Sequence, residues 1–333
     1  MLPLVPTAAP ARGMRIGRYE IAGELGREGA AVLYRGLDPV IRRAAAVKAL
    51  RRAALAPEAL ARAIEALQRE ARTLGALAHP NIVAICEYGE DETFVWIARE
   101  WVEGRTLAEH LAAGWRPAIE RLPSVVADLL EALDHVHARG IAHGALSPRE
   151  LFVSASGAAK LVGFGAASGP LAAAQANAYC EPERFEGAAD ERADLYSAGA
   201  IVYEVLAGRP PFVGACEALV REIRAGGAPP ASTFEPRLPV TIDMVLARRP
   251  EARYRSAREM LQALVEAFPG AAPAPVANTQ RLRLTQNLGA LRRGLAAVAV
   301  SPARRTACAA EAAAPSARRR RGTRDQRAAR AAR

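Results

Sequence analysis

The sequence predicts an α+β fold in two lobes: a small antiparallel sheet with one helix, then a larger, mainly helical part. Three observations carry this. Residues 17 to 50 hold three short runs, GRYEI, AAVLYRGL and AAAVKAL, separated by glycine and Asp-Pro turns in the manner of hairpins. From Pro57 to about Ala78 the residues Leu60, Ile64, Leu67, Ala71 and Leu74 recur on one helical face. Beyond the segment WVEGR the pattern becomes helical.

Each element has a local reason. Glu70 lies at the edge of the apolar face of the first helix, so its carboxylate is expected to be partly desolvated and to need a cationic partner. Lys48, the only lysine before Lys160, is the natural one. Two more strands are expected near 82–88 and 94–99. Thr106 and Glu109 have the spacing of a capping box that opens a helix. Residues 123–139 read as a helix closed by Gly140, and 193–207 and 253–267 as two further helices. After Phe268 the run PGAAPAPVANTQ reads as a linker. The expected organisation is a disordered 1–16, a folded 17–268 (sheet part 17–100, helical part 105–268), and a disordered linker and tail over 269–333.

Charge is unevenly placed. The chain carries a net charge of +10, but residues 281–333 hold fourteen arginines against Glu311 and Asp325, a tail of +12, which leaves −2 on the rest. Clustered arginine suits phosphate contacts, but the tail has no aromatics to stack bases and no motif that reads them. A solvated, disordered tail is therefore expected rather than a nucleic-acid partner. Thr279 and Thr285 stand in a basic linker where a partner kinase would find hydroxyls, although a linker without a role is the simpler reading. Cys86, Cys180, Cys216 and Cys308 show no metal-binding or disulfide spacing, which fits free thiols in a reducing cytoplasm. No secretory leader and no membrane span of about 18–20 apolar residues is apparent, so a soluble cytoplasmic protein is expected.

Several separated motifs, in order, make residues 17–268 resemble a bacterial serine/threonine protein kinase domain, in degenerate form. GRYEIAGELGREGAAVLY resembles the glycine-rich loop, AVKAL the lysine strand, HPNIV the loop after the first helix and REWVEG the segment between lobes. AYCEPE resembles the end of the activation segment, DLYSAGAIVYEVLAGRPPF the buried central helix and RRPEARYRSAREM the late arginine segment. The resemblance implies the bilobal kinase fold, with ATP and Mg²⁺ as cofactors. It implies that Lys48, paired with Glu70, grips the nucleotide phosphates, and that Arg253 pairs with Glu183. It also places His143, Leu74, Phe164 and Asp194 in an internal spine tying the lobes together.

The chemistry departs from that pattern. In IAHGALSPRELFV the arginine before the catalytic base is Gly144, the base itself is Ala145, and the metal-binding asparagine is Glu150. In KLVGFG the metal-binding aspartate is Gly163. Ser147 replaces a catalytic-loop lysine. Losing a positioned base removes roughly 10²–10⁴-fold in rate, and losing the metal several kcal/mol more. Of the three motif glycines of the glycine-rich loop only Gly26 remains, with Glu28 and Ala31 in place of the other two and Gly29 at a variable position between them, and a carboxylate at Glu28 directs like charge at phosphates. Arg99 at the rear of the adenine pocket and Phe152 beneath the purine are each large enough to fill the cavity. The activation segment keeps only Ser168 and Tyr179 as hydroxyl-bearing residues.

Site expectations follow from both readings. No residue is assigned a catalytic role, and Mg²⁺ is not expected to be held. Lys48, Glu70, Gly26, Gly29 and Glu150 are the candidates for contact with ATP, whose binding the eroded loop leaves open. Lys48 and Glu70 equally suit a purely structural ion pair. Glu150 is either a substitute metal ligand or, as the favoured reading, a solvated loop carboxylate. His143 is read as a packed core histidine. The function expected is a pseudokinase, a regulatory or scaffolding module that engages a protein partner such as a true kinase, its substrate or a regulator. The alternative is a divergent but active serine/threonine kinase, or a nucleotidyl-type transferase, that uses ATP and Glu150.

Overall fold

Ten-residue strand β2, Tyr19–Glu28, and strands β3, Ala31–Asp38, and β4, Arg43–Arg51, build the centre of an antiparallel sheet. It is completed by β1, Arg15–Ile16, on one edge and by β5, Ile85–Glu90, and β6, Phe94–Glu100, on the other, in the order β1-β2-β3-β4-β6-β5. This is a computed structural model, and it describes residues 13–115, 122–164, 176–187, 190–234 and 239–267. Glu28 pairs with Ala31 across a two-residue loop in which Gly29 takes a φ of +62°, a left-handed conformation that glycine adopts without strain.

Alternation along β4 decides which side chains face where. Ala45, Val47 and Ala49 enter an apolar layer with Ile16, Tyr19, Tyr34 and Trp96, so Ala46, Lys48 and Leu50 emerge on the opposite face. The first helix, α1, runs over Pro57–Gly75 with proline in its first turn, and Leu67, Glu70, Ala71 and Leu74 form its buried face. It ends slightly before the expected Ala78.

The second lobe begins with β7, Arg105–Thr106, and α2, Leu107–Ala112, whose capping box forms as expected. Helix α3, Leu122–His137, is followed by a turn in which Gly140 takes a φ of +66°. Short strands β8, Leu151–Val153, and β9, Ala159–Leu161, pair beside β7. Helix α4, Glu191–Ala207, is buried over most of its length. It is followed by α5, Cys216–Ala225, α6, Pro239–Val245, and α7, Ala257–Ala267. One core runs from Leu67, Leu74 and Ile97 of the first lobe through Phe164 to Leu130, Leu195 and Ile201 of the second. No helix among the described residues is long and apolar enough to cross a membrane.

Two expectations need correction. Residues 15 and 16 fall within the segment expected to be disordered, yet they pair with β2, and Ile16 is fully buried. The last helix starts at Ala257 rather than at 253. The Ser256 hydroxyl accepts from the Glu259 N–H at 3.1 Å and the Glu259 carboxylate accepts from the Arg255 N–H at 2.6 Å, which fixes its start. Arg253 is thereby left in extended backbone, where it is free to reach Glu183. The tail, the linker and most of the activation segment, including Ser168, lie outside the described residues.

Candidate active-site cleft

Below the sheet, a cleft of about 820 Å³ opens toward β8 and the segment after β9. Leu33 and Ala46 line its upper wall, Phe152 and Val162 its lower wall, and Trp101 and Val102 the side where the chain passes between lobes. Arg99 and Phe152, each large enough to fill the cavity, form its walls and leave it open. Gly29 lines the cleft; Gly26 does not, and a Cβ added there would meet open space.

At the inner end, Lys48 and Glu70 pair as the sequence suggested, with 2.7 Å between Nζ and Oε2. They are not alone. Lys48 Nζ is also 2.7 Å from Glu28 Oε2, and Arg99 reaches Glu28 at 3.1 Å and Glu70 at 3.5 Å. Two cations and two carboxylates therefore alternate in a closed ring. Burial opposes ionisation of Glu28, but Arg99 and then Lys48 outweigh it and hold the carboxyl at about 2. Arg99 is only 4 % exposed, a burial that a guanidinium tolerates when its charge is matched. The pairing of Glu28 and Arg99 was not anticipated. Glu28 lies on β2 and Arg99 on β6, with β3 and β4 between them, so no local signal in the sequence joins the two.

The loop that would carry the base is rigidly held. Asp194, on α4, accepts the N–H groups of His143 at 2.7 Å and Gly144 at 2.8 Å, and His137 Nε2 approaches it at 2.8 Å. Burial works against its charge, but the hydrogen bond from His137 and the nearby His143 hold its pKa down. His143 places Nε2 2.7 Å from the Val162 carbonyl and stacks on Phe164 with ring centroids 4.7 Å apart. Burial keeps this imidazole below its ordinary range, so Nε2–H donates to the carbonyl and the ring has a packing role. The Ala145 methyl accepts no proton. Ser147 turns its hydroxyl toward the Arg149 N–H, at 3.3 Å, within its own loop.

Gly163 is the sharpest departure. Its φ is +83°, and a Cβ built there would lie 2.1 Å from Glu150 Oε2. The Glu150 carboxylate therefore occupies the space into which an aspartate at 163 would extend. This corrects its reading as a solvated loop carboxylate: the group is half-buried and faces the cleft. Burial, followed by repulsion from Glu28, raises its pKa to about 7 against the pull of Arg99 and Lys48. Among the described residues no three His, Cys, Asp or Glu side chains come together in a metal-binding group. Ala145 and Gly163 carry no oxygen ligand, which leaves Glu150 as the side-chain donor among these three positions, a donor set that does not fit Mg²⁺. For ATP the fit is divided, with apolar walls that suit a flat ring and an inner end whose cations are already neutralised.

Other ties hold the frame. Lys160 Nζ lies 2.9 Å from both oxygens of Glu100, joining β9 to the end of β6. Arg253 and Glu183 form a two-point pair, with one contact at 2.8 Å, under α4. The Tyr179 hydroxyl donates to Glu204 at 2.6 Å.

A bilobal sheet-and-helix fold around such a cleft defines the protein-kinase class, and the comparisons agree. The sequence model of the protein kinase domain matches residues 19–264, and the chain belongs to that family. It is 36% identical over 269 residues to a probable serine/threonine-protein kinase of Streptomyces coelicolor, covering 73% of this chain and 39% of that protein. It is 34% identical over 279 residues to the serine/threonine-protein kinase PknB of Mycobacterium leprae, covering 77% of this chain and 44% of that protein. Identity to PknB of Mycobacterium tuberculosis H37Rv is 35% over 280 residues, with the same shares of 77% and 44%. The chain thus spans about two fifths of the length of these relatives.

Proposed function

We propose that this protein-kinase-family chain is impaired in phosphoryl transfer and serves as a regulatory or scaffolding module that presents the kinase surface to a protein partner. The observation that carries the reading is the Glu150 carboxylate lying where the side chain of a residue 163 aspartate would go, beside a loop whose base position is Ala145. A positioned base contributes about 10²–10⁴-fold and a phosphate-bound metal several kcal/mol. Without either, positioning alone remains, which supports a loss of about five orders of magnitude in turnover. The free thiols of Cys86, Cys180 and Cys216 support a reducing, cytoplasmic setting.

A second reading, a divergent active kinase using ATP, is favoured by two observations. The relatives are named serine/threonine kinases, and the Lys48–Glu70 pair and the open cleft are kept. Transfer of label from γ-labelled ATP to the chain itself or to a generic protein substrate, with Mg²⁺ or Mn²⁺, separates the two. The first reading expects no transfer above that of Lys48→Ala. Transfer that is abolished by Lys48→Ala and by Glu150→Ala would establish the second.

A further inference from the structure

The ring of charges at the inner end of the cleft has a consequence for what the cleft accepts. Lys48 and Arg99 are the cations of that end, and both are already bound to Glu28 and Glu70. Their charges cancel, and Glu150, half-buried beside them, adds negative character. Arg105 and Arg149 also line the cleft but are exposed at its mouth, where water and salt screen them. A phosphate entering the inner end therefore has to expel a carboxylate from two ion pairs, without a metal to offset the repulsion of Glu28 and Glu150. The outer part, between Leu33, Ala46, Phe152 and Val162, is apolar and open.

We propose that Glu28 serves as a built-in anion on Lys48 and Arg99, so that the cleft selects flat, uncharged heterocycles of the nucleoside class over their phosphate esters. Glu28 is the specificity-determining residue. It is carried on the hairpin closed by Gly29, which brings its carboxylate down to the lysine of β4 and the arginine of β6. This inference rests on the impaired-transfer reading of the same cleft, for which a ligand would tune the scaffold and not be consumed.

The test is calorimetric titration of the full chain with adenosine, AMP, ADP and ATP in the presence of a chelator, repeated on Glu28→Gln. For the natural chain, affinity is expected to fall from adenosine to ATP by roughly tenfold or more. In Glu28→Gln the order is expected to reverse, because Lys48 and Arg99 are released for phosphate. The side chain of Glu28 is 38 % exposed, so the variant is expected to fold, and Glu28→Gly offers a second route to the same release. ATP binding as tightly as adenosine in the natural chain overturns the inference. So does adenosine failing to bind at about 1 mM, or an order left unchanged by both variants. Preference for ATP without label transfer would end this inference and leave the impaired-transfer reading standing. Label transfer would end that reading whatever the order of affinities.

Discussion

Glu150 has its carboxyl held up at about 7, first by burial and then by the carboxylate of Glu28. Its ordinary value is 4.5, so between those values the folded protein keeps a proton that the unfolded chain has lost. The associated stability is whole below that window and falls as pH rises through it. Glu150→Gln keeps the shape and removes the titration. Its melting temperature is predicted to exceed that of the natural chain at about pH 8 and to match it near pH 4. Each kcal/mol recovered would appear as about 2–4 °C in a domain of this size. A variant that melts lower at the higher pH would mean that Glu150 is ionised and well paired in the fold. This burial is not legible in the sequence, where Glu150 stands in a segment with the pattern of a loop. What turns the carboxylate inward is the vacancy beside it, since Gly163 has no side chain to compete for that space.

Among the elements, the helices were the more legible. The apolar stripe of α1 and the capping box of α2 are signals confined to one stretch of chain. The closed ring of Glu28, Lys48, Glu70 and Arg99 was legible only in its Lys48–Glu70 half, since Glu28 on β2 and Arg99 on β6 meet across two intervening strands, a contact that local pattern does not give. Helix α5 was passed over although Leu219 and Ile223 stand one turn apart and Gly226 closes it, because ten residues give a weak periodic signal. The start of α7 matters for stability, since it leaves Arg253 to meet Glu183 in a buried pair. Arg253→Ala would strand the Glu183 carboxylate, and urea unfolding should show a loss of about 3–5 kcal/mol. Packing makes a second contrast at this scale. A Cβ at Gly199 of α4 would lie 2.2 Å from Val245 Cγ1 of α6, whereas one at Gly26 of β2 meets nothing. Gly199→Ala is expected to cost about 1–3 kcal/mol by overpacking, and Gly26→Ala to stay within about 0.5 kcal/mol of the natural chain.

At the scale of the molecule, the residues that hold a kinase fold together are kept, while Ala145 and Gly163 stand where the family pattern has its two aspartates. Leu74, His143, Phe164 and Asp194 are all buried, and Leu74 and Phe164 belong to the one core that the lobes share. That framework was legible through the resemblance of the separated motifs to a kinase domain, with apolar spacing alone giving Leu74 on its helix. The departures at Ala145 and Gly163 are legible in the sequence, and the placement of Glu28 and Glu150 is less so, because it depends on geometry that only the folded chain provides. The account makes transfer chemistry, and not folding, the property that has gone. The most direct test is therefore phosphoryl transfer from labelled ATP with Mg²⁺, measured side by side for the natural chain and for Ala145→Asp, Glu150→Asn, Gly163→Asp combined. The combined variant removes the carboxylate that would clash with a residue 163 side chain and restores the base and metal ligands together. The account predicts no measurable transfer by the natural chain and a gain of activity in the variant. Transfer by the natural chain that the three replacements fail to raise would contradict it.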